Sequence, residues 1–178
     1  VNVVQGFGDA GAAVVEDDRT DTVLFTGSAE VGQSVAQTVA GDPGKRAACE
    51  MGGKNAVVVT ETADLDVAVH AAVMSAFKTT GQRCVSAERI VVHRDRYDEF
   101  RDRFVALAQK VSVGDPLDEE TFMGPLIDED AVEKVRRYNQ TAREEAREVF
   151  VDRTDLPADE VPEGAVDGHW VGPFVYEA

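Results

Sequence analysis

Cysteine and histidine are scarce in this chain. Two cysteines, Cys49 and Cys84, cannot build a disulfide-dense scaffold. With the three scattered histidines (His70, His93, His169) they form no CxxC pair and no cluster of zinc-ligand spacing, so no metal site is expected and a reducing cytoplasm is the default compartment. No apolar run approaches the roughly 18 residues that would suggest a membrane-spanning helix. Basic residues are also few. Against Asp+Glu 34 there are Lys+Arg 18, a net charge of −16, which leaves no large basic face for nucleic acid. The start, Val1 to Gln5, has no initiator Met and no secretory-signal pattern, and reads as the interior of a longer protein.

The 178 residues are 43% hydrophobic, enough for one ordinary domain or for parts of two. The acids run along the whole chain and form no tail. An acidic partner-binding face and a protein from a high-salt cytosol are the two readings of that pattern, and the even spread favours the second.

Strand-like and helix-like segments alternate. Val1–Gln5, Thr22–Phe25 and Ala47–Cys49 read as strands. Ala10–Glu16 reads as a short helix, and a second helix, capped by Ser28, is expected to run to about Ala40. From Asn55 onward a strand is expected over Ala56–Thr60. A largely buried helix capped by Asp64 follows, then a strand over Arg89–His93. Asp95 is expected to cap a helix with the apolar stripe Tyr97, Phe100, Phe104, Leu107 and Val111. A helix after Asp128 would align Ala131, Val135, Tyr138, Ala142 and Ala146. A solvated connection over 152–169 leads to a strand-like end, Trp170–Tyr176. Strands separated by helices of these lengths imply βαβ units and a parallel sheet.

Four segments could carry chemistry. Gly6-Phe7-Gly8-Asp9-Ala10-Gly11 fits a dinucleotide fingerprint, but the acid expected at the end of the next strand is missing, so a Gly-rich turn into a helix is the simpler reading. In Phe25-Thr26-Gly27-Ser28-Ala29-Glu30-Val31-Gly32 a strand turns into a capped helix whose free N–H groups would suit a pyrophosphate; an ordinary N-cap fits equally well. In Glu50-Met51-Gly52-Gly53-Lys54-Asn55 a carboxylate beside apolar residues would be partly desolvated and usable as a general base, or would simply cap the turn. In Gly81-Gln82-Arg83-Cys84-Val85 the cysteine sits in a turn next to an arginine, a setting for a nucleophile, although a small buried hydrophobe is the usual role of a lone cysteine. Cys49, inside an apolar strand, takes that usual role. Asn139-Gln140-Thr141 matches a glycosylation sequon but lies mid-helix.

Taken together and in this order, Phe25–Ser28, Glu50–Asn55 and Gly81–Cys84 resemble the aldehyde dehydrogenase superfamily. The likeness continues through Ala63-Asp64-Leu65-Asp66, Tyr97-Asp98-Glu99-Phe100, Val113-Gly114-Asp115-Pro116 and Gly124-Pro125-Leu126. The resemblance implies an α/β fold: the end of a Rossmann-variant cofactor domain over 1–51 and the beginning of an α/β catalytic domain over 52–178. It implies NAD or NADP as cofactor, a small-molecule aldehyde as substrate, no nucleic-acid or membrane partner, and a homo-oligomer at full length. Cys84 matches the nucleophile, with its backbone N–H as part of the oxyanion hole, and Glu50 matches the base that activates water. Gly27, Ser28, Val31, Gly32 and Met51 match the cofactor turn, Met51 standing where the family usually has Leu. Gly8 would then lie in a loop bordering the cofactor site. The presence of Glu50 favours the acid-forming branch over transfer to coenzyme A. The resemblance also makes the chain a central slice, inactive alone, because the family's second oxyanion donor and its ribose-holding residues fall outside it. A remnant of a broken gene is the non-enzymatic alternative. A cysteine hydrolase would need a histidine partner that no motif supplies.

Overall fold

Side-chain caps set the starts of three of the five described α-helices. The structure, a computed structural model, describes residues 1–151 and 168–178 and divides into two compact units, Val1–Gly53 and Lys54–Ala178. The expected connection over 152–167 lies outside the described residues.

The first unit is a βαβ arrangement preceded by a helix. Helix α1 spans Gly8–Glu16, β1 Thr22–Gly27, α2 Ala29–Ala40 and β2 Arg46–Met51. Strands β1 and β2 pair in parallel, from Thr22 opposite Arg46 to Gly27 opposite Met51, so both end at the same edge. Ser28 caps α2, its side chain accepting from Val31 N at 3.3 Å. Val35, Val39 and Gly32 are the buried face of that helix. Lys45 Nζ donates to the carbonyls of Val15, Glu16 and Asp17 at 3.2, 3.1 and 3.0 Å, placing a cation on the C-terminal end of α1 where the helix dipole favours it.

Two expectations fail here. Val1–Gln5 is not a strand: no described strand pairs with it, and its valines are exposed. The Gly-rich segment is not a loop at Gly8 either, because α1 starts there, two residues before the expected Ala10. Phe7 O accepts from Ala10 N and Gly11 N, so the glycines form the helix's first turn.

The second unit repeats the parallel pairing. Strand β3, Asn55–Val59, pairs with β4, Ala87–Val92, and α3, Leu65–Phe77, connects them. Asp64 caps α3 through Asp66 N and Val67 N, as its position predicts. The helix buries one broad face, Leu65, Val69, Ala72, Val73 and Phe77, but leaves Val67 and Met74 exposed, so it is less enclosed than its composition suggests. Helix α4, Tyr97–Ala108, packs Phe100 and Phe104 onto it, and the ring centroids of Phe77 and Phe104 are 6.0 Å apart. Arg103 ties the two helices outside the core, reaching Asp66 at 2.7 Å and Glu99 at 2.6 Å. Asp95 is not the cap of α4. A 3-10 turn over Arg94–Arg96 comes first, and His93 Nδ1 accepts from Asp95 N at its start.

Helix α5, Glu129–Glu145, is capped by Asp128, which accepts from Ala131 N at 2.9 Å. Its buried face is centred on Val132 and Asn139, with Ala131, Val135 and Ala142 half-buried. Tyr138, expected on that face, is exposed; Lys54 and Arg137 lie over its ring. Strand β5, Arg147–Val151, has no counterpart in the sequence reading. It pairs antiparallel with β6, Phe174–Glu177, and Trp170 and Val171 are buried just before β6. A cavity of about 620 Å³ lies among β4, α4, α5 and β6, and its lining includes Asn139 and Tyr176. Among the described residues the Asn139 amide nitrogen and the Tyr176 hydroxyl have no hydrogen-bond partner, and burial pushes the Tyr176 phenol up. No described helix is long and apolar enough to cross a membrane.

Candidate active site

The nucleophile candidate sits on a strained turn. After α3 the chain passes through Lys78–Gly81, where Thr79, Thr80 and Gly81 are successively left-handed, with φ of 55, 57 and 68°. For the two threonines this costs roughly 1–2 kcal/mol each. Such strain persists where surrounding contacts hold it, and here the contacts come from a distant segment. Thr80 Oγ1 donates to Gly124 O at 2.8 Å. Gln82 Nε2 donates to Thr79 O and to Pro125 O, both at 3.3 Å, and Gln82 Oε1 accepts from Ile127 N at 3.0 Å. The Gly124-Pro125-Leu126 motif is therefore the buttress of this loop. Sequence reading missed Gln82, because its partners lie 43 and 45 residues away.

Gly81 is required by both conformation and space. Its φ is left-handed, and a Cβ there would lie 3.0 Å from Ala76 O, a backbone atom. Gly81→Ala is expected to destabilise the chain by about 1–2 kcal/mol, read as a lower urea midpoint at unchanged slope. An unchanged midpoint would show that the loop is not held in this conformation.

Cys84 is exposed in the turn that follows. Ser86 N donates to Arg83 O at 3.0 Å and Arg83 N donates to Ser86 Oγ at 3.3 Å, closing Arg83–Ser86 around the cysteine. Asn55 Nδ2 donates to Cys84 O at 2.6 Å and to Ser86 O at 3.1 Å.

In the first unit, the remaining candidates except Gly8 gather at the carboxyl edge of the β1–β2 pair. Thr26 lies opposite Glu50 and Gly27 opposite Met51, and Ser28, Val31 and Gly32 open the helix that follows. Gly27, Ser28, Ala29 and Glu30 are exposed, and with Val31 N–H taken by the Ser28 cap the N–H groups of Ala29 and Glu30 are the open ones at the start of α2. A Cβ on Gly32 would lie 2.5 Å from Met51 Sδ and 3.3 Å from Phe25 Cε1, so the glycine lets the helix seat on β2. Burial alternates along the end of β2: Cys49 and Met51 are half-buried, Ala48 and Glu50 exposed. Glu50 thus lacks the desolvation expected of it. Cys49 is half-buried rather than buried, its thiol donating to Gly32 O at 3.6 Å, because α2 covers only part of that sheet face. Gly8 stands at the start of α1, outside the β1–β2 pairing.

Parallel βαβ pairing in each unit defines an α/β protein. The sequence of the chain matches the aldehyde dehydrogenase family model over residues 1–178, and the chain belongs to that family. It is 42% identical over 153 residues to 1-pyrroline-5-carboxylate dehydrogenase 1 of Halalkalibacterium halodurans, covering 83% of this chain and 30% of that protein. It is 41% identical over 152 residues to the mitochondrial aldehyde dehydrogenase of Homo sapiens, covering 84% and 29%. Among solved structures, gamma-glutamyl-gamma-aminobutyraldehyde dehydrogenase from Burkholderia cenocepacia superposes with a TM-score of 0.86 at 34% identity, covering 97% of this chain and 34% of that one. The 1-pyrroline-5-carboxylate dehydrogenase from Thermus with bound NAD gives 0.82 at 31%, covering 96% and 32%. The α/β aldehyde dehydrogenase fold expected from the motifs is the fold of these neighbours. The chain spans about 30% of the length of the curated relatives it matches.

Proposed function

We propose that the protein carrying this chain oxidises a small aldehyde to its carboxylic acid with NAD or NADP, through a thioacyl intermediate on Cys84. The observation that carries this reading is the exposed Cys84 on a turn whose flanking peptides are hydrogen-bonded. Residues 1–51 serve as the end of the cofactor domain and 52–178 as the beginning of the catalytic domain. The open start of α2 and the close seating of Gly32 on β2 fit a dinucleotide, and a Thermus relative holds NAD. Gly27, Ser28, Val31, Gly32 and Met51 would hold it, with Gly8 bordering the site from the first turn of α1 in place of the expected loop. When bound, the nicotinamide supplies the hydride acceptor.

The Cys84 thiolate forms a C–S bond to the carbonyl carbon, and the displaced electron pair goes to oxygen, where the Cys84 N–H stabilises it. Loss of hydride from that carbon restores the C=O as a thioester. Glu50 then takes a proton from water, the water oxygen bonds to the acyl carbon, and the C–S bond breaks to return the thiolate and release the acid. The relatives' names include 1-pyrroline-5-carboxylate and betaine aldehyde dehydrogenases. A panel of 1-pyrroline-5-carboxylate, betaine aldehyde and propanal, each with NAD and NADP, tests the reading. Aldehyde-dependent NAD(P)H formation supports it, and none with any pair overturns it. A cytoplasmic homo-oligomer is the form we expect of the active protein.

The acidic surface belongs to the same reading. At −16 the folded chain repels itself, and the Debye length falls to about 3 Å at 1 M salt. The melting temperature is expected to rise between low and molar KCl, as in a protein of a high-salt cytosol. A flat or falling trend in a thermal scan would remove the halophile assignment.

A further inference from the structure

Asn55 opens β3, 29 residues before Cys84, and its amide nitrogen bonds the backbone on both sides of Val85: Cys84 O at 2.6 Å and Ser86 O at 3.1 Å. The segment that carries it is itself fastened. Lys54 O accepts from Arg89 Nη2 at 2.6 Å, and the Lys54 ammonium pairs with Glu88. On the other side of the cysteine, Arg83 O accepts from Ser86 N at 3.0 Å.

The two peptides flanking the Cys84 Cα are therefore each held through their carbonyls, one by the turn and one by Asn55. In a trans peptide the N–H points opposite to the C=O. With Arg83 O fixed inside the turn, the Cys84 N–H is directed out of it, and with Cys84 O fixed the backbone cannot rotate to bring that N–H back. Asn55 bonds this segment as a donor to carbonyl oxygens, so it holds Cys84 O without engaging the Cys84 N–H, which belongs to the preceding peptide.

We infer that Asn55 is a positioning residue for the oxidation, fixing the Cys84 backbone so that its N–H and its thiol address one substrate carbonyl together. This rests on the proposed thioacyl mechanism. Asn55 itself does not touch substrate. A purely structural role, fastening β3 to β4 where the register shifts between Asn55 and Ala56, would lower stability without separating kcat from KM.

The test uses the protein that carries this chain, assayed with NAD and with NADP on propanal, 1-pyrroline-5-carboxylate and betaine aldehyde, with the fastest pair used throughout. Asn55→Asp keeps the side-chain shape but turns an oxygen toward two carbonyl oxygens. We expect kcat to fall about 10–100-fold, part of the roughly 10²–10³-fold lost when an oxyanion donor is removed outright. KM for the aldehyde should stay within about threefold, the pattern of an interaction made mainly in the transition state. Alkylation of Cys84 by iodoacetamide, which needs no oxyanion hole, should stay within about threefold in a Cys49→Ala background. If Asn55→Asp does not fold, Asn55→Ala, which removes the donors without adding repulsion, carries the same expectation. Unchanged kcat in the folded variant overturns the inference. So does a fall in kcat matched by slower alkylation and a lower melting temperature, which marks a structural role. If the unaltered protein is inactive on every pair, or Cys84→Ala retains activity, the thioacyl mechanism falls and the inference falls with it.

Discussion

Replacing Cys84 by Ala in the protein that carries this chain is expected to abolish aldehyde-dependent reduction of the cofactor, with a loss on the order of 10⁶-fold, the scale seen when a covalent nucleophile is deleted. Without the thiolate there is no tetrahedral adduct, and an aldehyde carbon does not release hydride until it carries an additional electron-rich substituent. The exposed position of Cys84 and its place in a closed turn set it apart from Cys49, which is half-buried and bonded to Gly32 O. Cys49→Ala should therefore leave turnover within about twofold, as expected of a residue packed away from the chemistry. Each variant is measured by NAD(P)H absorbance, with circular dichroism as the check on folding. If Cys84→Ala keeps its rate while Cys49→Ala loses it, the two cysteines have been assigned the wrong way round.

Glu50→Gln is expected to separate the two halves of the reaction. In the proposed mechanism hydride transfer precedes water attack, so the variant should still give one rapid equivalent of NAD(P)H per site. Steady turnover should then be slower by about 10²–10⁴-fold, the usual contribution of a positioned base. Glutamine has nearly the shape of glutamate but cannot accept the water proton. Glu50 is exposed at the end of β2, opposite Thr26 in the strand register, so the exchange should perturb packing very little. Rapid mixing with absorbance detection distinguishes the outcomes. An unchanged steady rate would mean that another group activates the water. A lost burst would mean that Glu50 is also needed before hydride leaves.

The sequence was legible where the physics is local. Ser28, Asp64 and Asp128 cap helices because each side chain reaches an N–H two or three residues ahead, and the Phe100 and Phe104 spacing lays both rings on one face of α4. These energies depend on neighbours in the chain and survive any arrangement of the rest. Local reading failed wherever a partner far along the chain decides. Val1–Gln5 has strand composition but no described strand beside it, and β5 exists because β6 pairs with it. Asp95 shows a different failure, a local one: it has the chemistry of a cap, but a 3-10 turn that starts at His93 precedes α4, and α4 begins after Arg96 with no side-chain cap. Tyr138 has the right spacing for the core, while the observed packing of α5 centres on Val132 and Asn139.

The candidate site divides in the same way. Each motif taken alone left Cys84, Glu50 and the Gly27–Gly32 turn open between a chemical and a structural role; their order along the chain, which resembles the aldehyde dehydrogenase superfamily, singled out the chemical role that we propose. Only the tertiary structure showed what holds the cysteine in place. Asn55 reaches it across 29 residues, and Gln82 ties its loop to Pro125 and Ile127 across 43 and 45. Nothing in the spacing of those side chains encodes such meetings. The Asn55 meeting follows from parallel pairing of β3 with β4, which brings the start of β3 beside the loop that leads into β4. The sequence nominated the groups proposed to react; the fold decided how the backbone that carries Cys84 is held, because that depends on partners far along the chain.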